Sequence, residues 1–197
     1  MEKYLESSRY IDWENPEIVK LSKSLARGLD GEEGIAKSCF EWVRDNIKHS
    51  ADYKLNPVTC KASDVLKYQT GYCYAKSHLL AALLRANNIP AALCYQRLSI
   101  DDNGEPYCLH GLNAVYLKKQ GWYRMDARGN KPGVDAQFTP PVERLAFPMR
   151  LEGELDLLEM EHEPLHAVVS VLEKYSRYDE VLKNLPDIEL ARKQKQS

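Results

Sequence analysis

The chain has 197 residues, 44% hydrophobic and 28% charged, enough to bury one core and without the composition break expected between two domains. A net charge of -2 removes the electrostatic reason to expect nucleic acid or an anionic membrane as partner. No run reaches the roughly 18 apolar residues of a membrane span, and residues 1–6 lack the apolar stretch of a secretory leader. Five cysteines (39, 60, 73, 94 and 108) without a CxxC pair fit free thiols in a reducing cytoplasm better than a disulfide frame or a zinc site.

Residues 4–12 read as an extended first segment that buries Tyr10 and Ile11, with Trp13 just beyond. Asn15-Pro16-Glu17 is a helix start, with Asn as N-cap, Pro at the first helical position and an acid in the first turn. Ile18, Leu21, Leu25 and Leu29 continue it at helical spacing, and Gly28 or Gly31 stops it. A second helix is expected over about 32–48, with Ile35, Cys39, Trp42, Val43 and Ile47 on one face, so Cys39 belongs to the core. A loop over 56–61 leads to a short helix over 62–68, capped by Ser63 or Thr59.

A turn-like Thr70-Gly71 then runs into Cys73, and behind the cysteine stand Leu79, Leu80, Leu83 and Leu84. That spacing places Cys73 in the first turn of a buried helix, where unpaired N–H groups and the helix dipole favour a thiolate. Asn88 and Pro90 end this helix. The period then changes to two, with strands expected over 92–100, 109–117 and 122–126, separated by turns at 101–104 and 118–121. A last helix is expected after Pro164, and the polar tail after Pro186 is expected to fray. Helices first and an antiparallel meander second define an α+β fold with helices packed on one side of the sheet.

The chemistry centres on Cys73, His110 and Asp126: a thiol nucleophile, its base and the base's orienter. His110 and Asp126 share a face of their hairpin only if the loop holds an odd number of residues, about three or five. A two- or four-residue loop would separate them. Docking the Cys73 helix on that same face would complete the unit. The backbone N–H of Cys73 is the first candidate donor to an oxyanion, and Gln69 is the second.

In order along the chain, Gly71-Tyr72-Cys73, the run 81–91 (AALLRANNIPA), His110-Gly111-Leu112-Asn113-Ala114 and Trp122-Tyr123-Arg124-Met125-Asp126 resemble the blocks of the transglutaminase-like superfamily. The resemblance covers roughly residues 40–131. It implies a papain-like fold in a single domain spanning 1–197 with its core at about 32–131. It also implies a Cys-His-Asp triad at Cys73, His110 and Asp126, acting on amide or peptide bonds without cofactor or metal. No upstream Trp matches the indole that stabilises the oxyanion in animal transglutaminases, and calcium-ligand clusters are missing. Hydrolysis is therefore the expected outcome rather than protein cross-linking.

Tyr72, Arg128 and Asn130 are further candidates for lining the site. A non-catalytic peptide-binding module is the competing reading, with Tyr72, Tyr74, Trp122 and Tyr123 as its groove. Cys94 and Cys108 are expected in the core, and His78 in packing. His162-Glu163-Pro164-Leu165-His166 fits a zinc-protease string, but that motif needs a continuous helix, and Pro164 inside one would cost about 3 kcal/mol. Pro164 reads instead as the first residue of the last helix. Oligomeric state and substrate identity are not written in these patterns.

Overall fold

The computed structural model describes residues 1–188. Helix α1 (Pro16–Ala26) starts where the sequence places it, with the Asn15 side chain accepting the Glu17 N–H and Pro16 at the first position. Helix α2 (Glu32–Asn46) ends two residues early because the chain turns extended at Ile47 to form β1 (Lys48–His49). A single turn, α3 (Ser50–Tyr53), precedes α4 (Ala62–Tyr68), which has neither expected local cap. Instead Asp12, 51 residues away, accepts from the Ser63 N–H at 3.0 Å and from the Ser63 hydroxyl at 2.5 Å. Capping from across the fold leaves no mark in the local sequence.

Thr70–Gly71 is not a turn but strand β2, paired in parallel with β1 so that His49 stands opposite Gly71. The chain then enters α5 (Cys73–Ala86), whose residues from Cys73 to Arg85 are all buried. A helix buried on every side belongs at the centre of a fold. α5 packs against α1, α2 and α4 on its outer sides and against the sheet on its inner side. Burying each of its leucines contributes about 1.5–3 kcal/mol relative to leaving it in water.

The sheet consists of β3 (Ala91–Ser99), β4 (Tyr107–Leu117), β5 (Gly121–Met125) and the short β6 (Leu155–Asp156), all antiparallel in the order β5-β4-β3-β6. Leu117 pairs with Gly121, so the β4–β5 loop holds three residues, Lys118, Lys119 and Gln120. Odd-numbered positions of β4 face α5: Asn113 Nδ2 donates to the Ser77 carbonyl at 2.9 Å, and Leu109 and Val115 join the main core. Even-numbered positions face away, where Ala92, Cys94, Leu112 and Ala114 form a second cluster under Tyr4, Trp122, Leu145 and Met160.

Helices α6 (His166–Lys174) and α7 (Tyr178–Leu182) close the described chain. α6 begins at His166 with Leu165 as N-cap, so Pro164 precedes the helix instead of opening it, and His162 lies outside it. The two histidines of the zinc-protease string therefore share no helical face. α7 was not legible in the sequence, and the expected fraying of the tail falls mostly outside the described residues. The architecture is α+β, with the helices gathered on one face of an antiparallel sheet.

Candidate active site

The site lies where the start of α5 meets β4. Tyr72 is the N-cap of α5 and its carbonyl receives the Lys76 N–H at 2.9 Å, so Cys73 is the first helical residue and its own N–H has no intrahelical acceptor. Cys73 is 7% exposed, and its Sγ accepts a hydrogen bond from the Gly111 backbone N–H at 3.5 Å.

His110 and Asp126 lie on one face, as the three-residue loop requires. Continuing the β4–β5 register sets Asp126 opposite Leu112, one diagonal step from His110. His110 Nε2 donates to Asp126 Oδ2 at 2.7 Å, with His110 5% exposed and Asp126 fully buried. The carboxylate is held on its remaining sides by two backbone donors, Arg128 N–H to Oδ1 at 3.1 Å and Ala146 N–H to Oδ2 at 3.1 Å. Phe147 stacks edge-on against the imidazole at 5.0 Å between centroids.

The helix docks differently from the expectation. α5 lies on the odd-numbered face of β4, whereas His110 belongs to the even-numbered one. The two meet past Gly111, whose missing side chain lets the Tyr72–Tyr74 turn approach the strand: a Cβ on Gly111 would stand 3.0 Å from Tyr74 Cα. With Nε2 committed to Asp126, Nδ1 is the imidazole nitrogen left for the thiol.

The electrostatics follow from this arrangement. Burial pushes the His110 imidazolium toward deprotonation, but the Asp126 charge and the Cys73 thiol beside it more than offset that, raising its pKa to about 10. Burial of Asp126 acts against its charge, and the His110 cation and the three hydrogen bonds prevail, holding the carboxyl below its usual range. The pair is therefore carboxylate and imidazolium at neutral pH.

The other sequence candidates separate. Tyr72 lines the cleft, but its hydroxyl is committed to the Tyr178 carbonyl. Arg128 lines it too, 8% exposed and forked onto Asp52 at 2.6 and 3.1 Å. Gln69 does not join them: it is the exposed left-handed C-cap of α4, and its amide turns back to the Leu66 carbonyl. Asn130 also lies away from the cleft, stapling its own loop through the Ala136 N–H and carbonyl at 2.8 and 3.2 Å. Cys94 is buried as expected, but Cys108 is only half-buried and lines the cleft beside Cys73. His78 is a packing residue, fully buried with Nδ1 2.7 Å from the Cys60 carbonyl and its pKa lowered to about 4 by burial.

Tyr72, Tyr74, Trp122 and Tyr123 form no groove. Tyr72, Tyr74 and Tyr123 are 3% exposed or less, and Trp122 packs on Tyr4 and Tyr116 on the far face of the sheet. Sequence reasoning missed His49, Asp52 and the 146–147 segment, all of which reach the cleft through contacts distant in the chain.

A buried His–Asp pair set against a cysteine at a helix start, on helices packed over an antiparallel sheet, is the arrangement of a papain-like thiol fold. The sequence profile of the transglutaminase-like superfamily matches residues 19–127, more than half of the chain, and the chain belongs to that superfamily. Among solved structures, a protein from Cytophaga hutchinsonii provisionally named a cysteine protease aligns with a TM-score of 0.51 at 22% identity, over 64% of this chain and 40% of that one. The periplasmic domain of TgpA from Pseudomonas aeruginosa aligns with a TM-score of 0.47 at 20% identity, over 63% of this chain and 46% of that one. The chain thus spans less than half the length of either protein. No curated protein matches the sequence. Among the described residues, no helix is long and apolar enough to cross a membrane.

Proposed function

We propose that the protein is a thiol-dependent acyl-transfer enzyme that hydrolyses amide or peptide bonds. The observation that carries this reading is the buried His110 imidazole, bound to Asp126 at 2.7 Å on one nitrogen, with the Cys73 thiol beside it. In the proposed mechanism Cys73 forms a thiolate–imidazolium pair with His110. Sγ bonds to the acyl carbon, and the carbonyl π electrons move to oxygen. On collapse the C–N bond breaks, and His110 gives its proton to the departing amine. His110 then takes a proton from water, whose oxygen attacks the thioester and releases the carboxylic acid and the Cys73 thiolate. Asp126 keeps the ring in the required tautomer and stabilises its charge.

Water is the proposed acceptor in preference to an amine. None of the three tryptophans lines the cleft: Trp13 donates to the Leu5 carbonyl, Trp42 lines a separate groove with Leu21 and Leu66, and Trp122 lies on the far face. The indole expected of a cross-linking enzyme is thus not at this site. Five free cysteines support a reducing, cytoplasmic setting.

The test is to incubate wild type, Cys73→Ala and His110→Ala with a set of peptide p-nitrophenyl esters and follow the acylated protein by mass. Wild type alone is expected to carry a hydroxylamine-labile acyl group on Cys73 that decays in water. Decay only after a primary amine is added would make the protein a transglutaminase. Equal labelling of all three proteins would leave a binding module.

A further inference from the structure

The tetrahedral intermediate needs a second hydrogen-bond donor besides the Cys73 N–H, and Gln69 is turned away from the cleft. We infer that His49 is that donor, through the N–H of its Nε2; the inference rests on the acyl-transfer reading above.

Three observations lead to it. His49 ends β1 and stands opposite Gly71 in β2, so the parallel pairing fixes its position two residues from Cys73 in the adjoining strand. It lines the cleft together with Cys73 and His110. It is a polar side chain 7% exposed with no hydrogen bond of its own: Nδ1 is sealed off without a partner, and the nearest acid, Asp52 Oδ2, is 3.8 Å away, beyond bonding distance. A buried imidazole without partners is expensive to keep, and such a group calls for an explanation. Nε2 is also without a protein partner but is not sealed off, so it is the ring nitrogen left to meet an oxygen developing on a bound acyl carbon.

The surroundings suit a neutral donor. Asp52 is already engaged by Arg128 and by Lys131 at 2.8 Å. The groups facing His49 are therefore mostly cationic: Arg128, Lys76 and His110 oppose its protonation, and Asp52 alone favours it. Burial and Arg128 together hold its pKa well below the usual value, so the ring stays uncharged and does not compete with His110 for the proton of the Cys73 thiol. The Tyr72 ring, edge-on at 5.5 Å between centroids, holds the imidazole plane.

An oxyanion donor acts only when an acyl carbon becomes tetrahedral, which separates it from a group that tunes or positions the thiol. Two reactions of Cys73 distinguish these roles. Iodoacetamide alkylation forms an S–C bond and expels iodide without any oxyanion. Acylation by p-nitrophenyl acetate passes through one before p-nitrophenolate leaves. For His49→Phe, which keeps the ring packing, alkylation is expected at the wild-type rate while acylation slows about 10²-fold or more. His49→Gln, which restores an N–H donor, is expected to recover part of that loss.

Equal acylation of His49→Phe and wild type, or parallel losses in both reactions, would overturn the inference and leave the nucleophile in place. A wild-type protein that is alkylated rapidly but never acylated would overturn the acyl-transfer reading itself.

Discussion

Gly111 and Tyr74 touch backbone to backbone: a methyl group on Gly111 would lie 3.0 Å from both Tyr74 Cα and Cδ1 and 3.2 Å from Tyr74 N. That contact lets a helix on one face of the sheet bring its first residue to a histidine on the other. Gly111→Ala must push the start of α5 away from β4, because two of the three colliding atoms, Tyr74 Cα and N, belong to the backbone of a buried helix. A loss of about 1–3 kcal/mol of stability is expected, as for other overpacked cores, together with slower alkylation of Cys73 in the protein that remains folded. Denaturant unfolding and iodoacetamide kinetics measure the two effects. Wild-type behaviour in both would show that the close approach is not needed.

Asp126→Asn keeps the shape of the carboxylate and removes its charge. Burial then acts on His110 with less opposition, so its pKa falls, and the alkaline limit of Cys73 reactivity moves to lower pH. Turnover of an ester substrate is expected to drop about 10³–10⁴-fold, the scale seen when a triad loses its orienting acid. An unmoved alkaline limit would mean that Asp126 does not support the imidazolium.

Lys76, one turn beyond Cys73, is 1% exposed and donates to the Ile47 carbonyl at the end of α2. Burial and Arg128 lower its pKa from 10.5 to about 7. Between those values the unfolded chain holds the additional proton, so Lys76 makes stability rise with pH. His110 works in the opposite direction. Its folded value of about 10 lies above its ordinary 6.5, so its stabilisation is complete below about 6.5 and is lost as pH rises through about 10. The two windows overlap. Lys76→Met should therefore lose stability between about pH 7 and 10 more steeply than wild type, read as urea midpoints across that range. Parallel curves would contradict the assignment.

Removing Asp12 tests the long-range cap of α4. Asp12→Ala leaves the Ser63 N–H and hydroxyl without their acceptor, at an expected cost of about 1 kcal/mol in unfolding free energy. Ser63→Ala should lose less, since the backbone bond to Asp12 survives. Equal losses would show that the hydroxyl carries the cap.

The legible parts of this fold are those with a local cause. Asn15-Pro16 marks α1, the leucines behind Cys73 mark α5, and the strand run 109–117 marks β4, because each follows from side-chain spacing or a cap within a few residues. His110 and Asp126 stood out by their places on successive strands, and the parity condition on their loop is met by its three residues. What stayed hidden depends on contacts far apart in sequence. β1 and β2 are two residues each, too short to carry a period, yet their pairing sets His49 beside Gly71. Gln69 was a reasonable donor by its distance from Cys73, but the left-handed turn at the end of α4 points it to solvent. The side of β4 that α5 would take could not be read either, since both faces of that strand are buried.

In the proposed mechanism His110, held by Asp126, makes Cys73 a nucleophile. The rate at which iodoacetamide alkylates Cys73 at pH 6, compared between wild type and His110→Ala and located by peptide mass, tests it most directly. Wild type is expected to react far faster than free cysteine at that pH, where a free thiol near pKa 8.5 is almost wholly protonated, and His110→Ala is expected to fall back to the free-thiol rate. A wild-type rate no greater than that of free cysteine would contradict it.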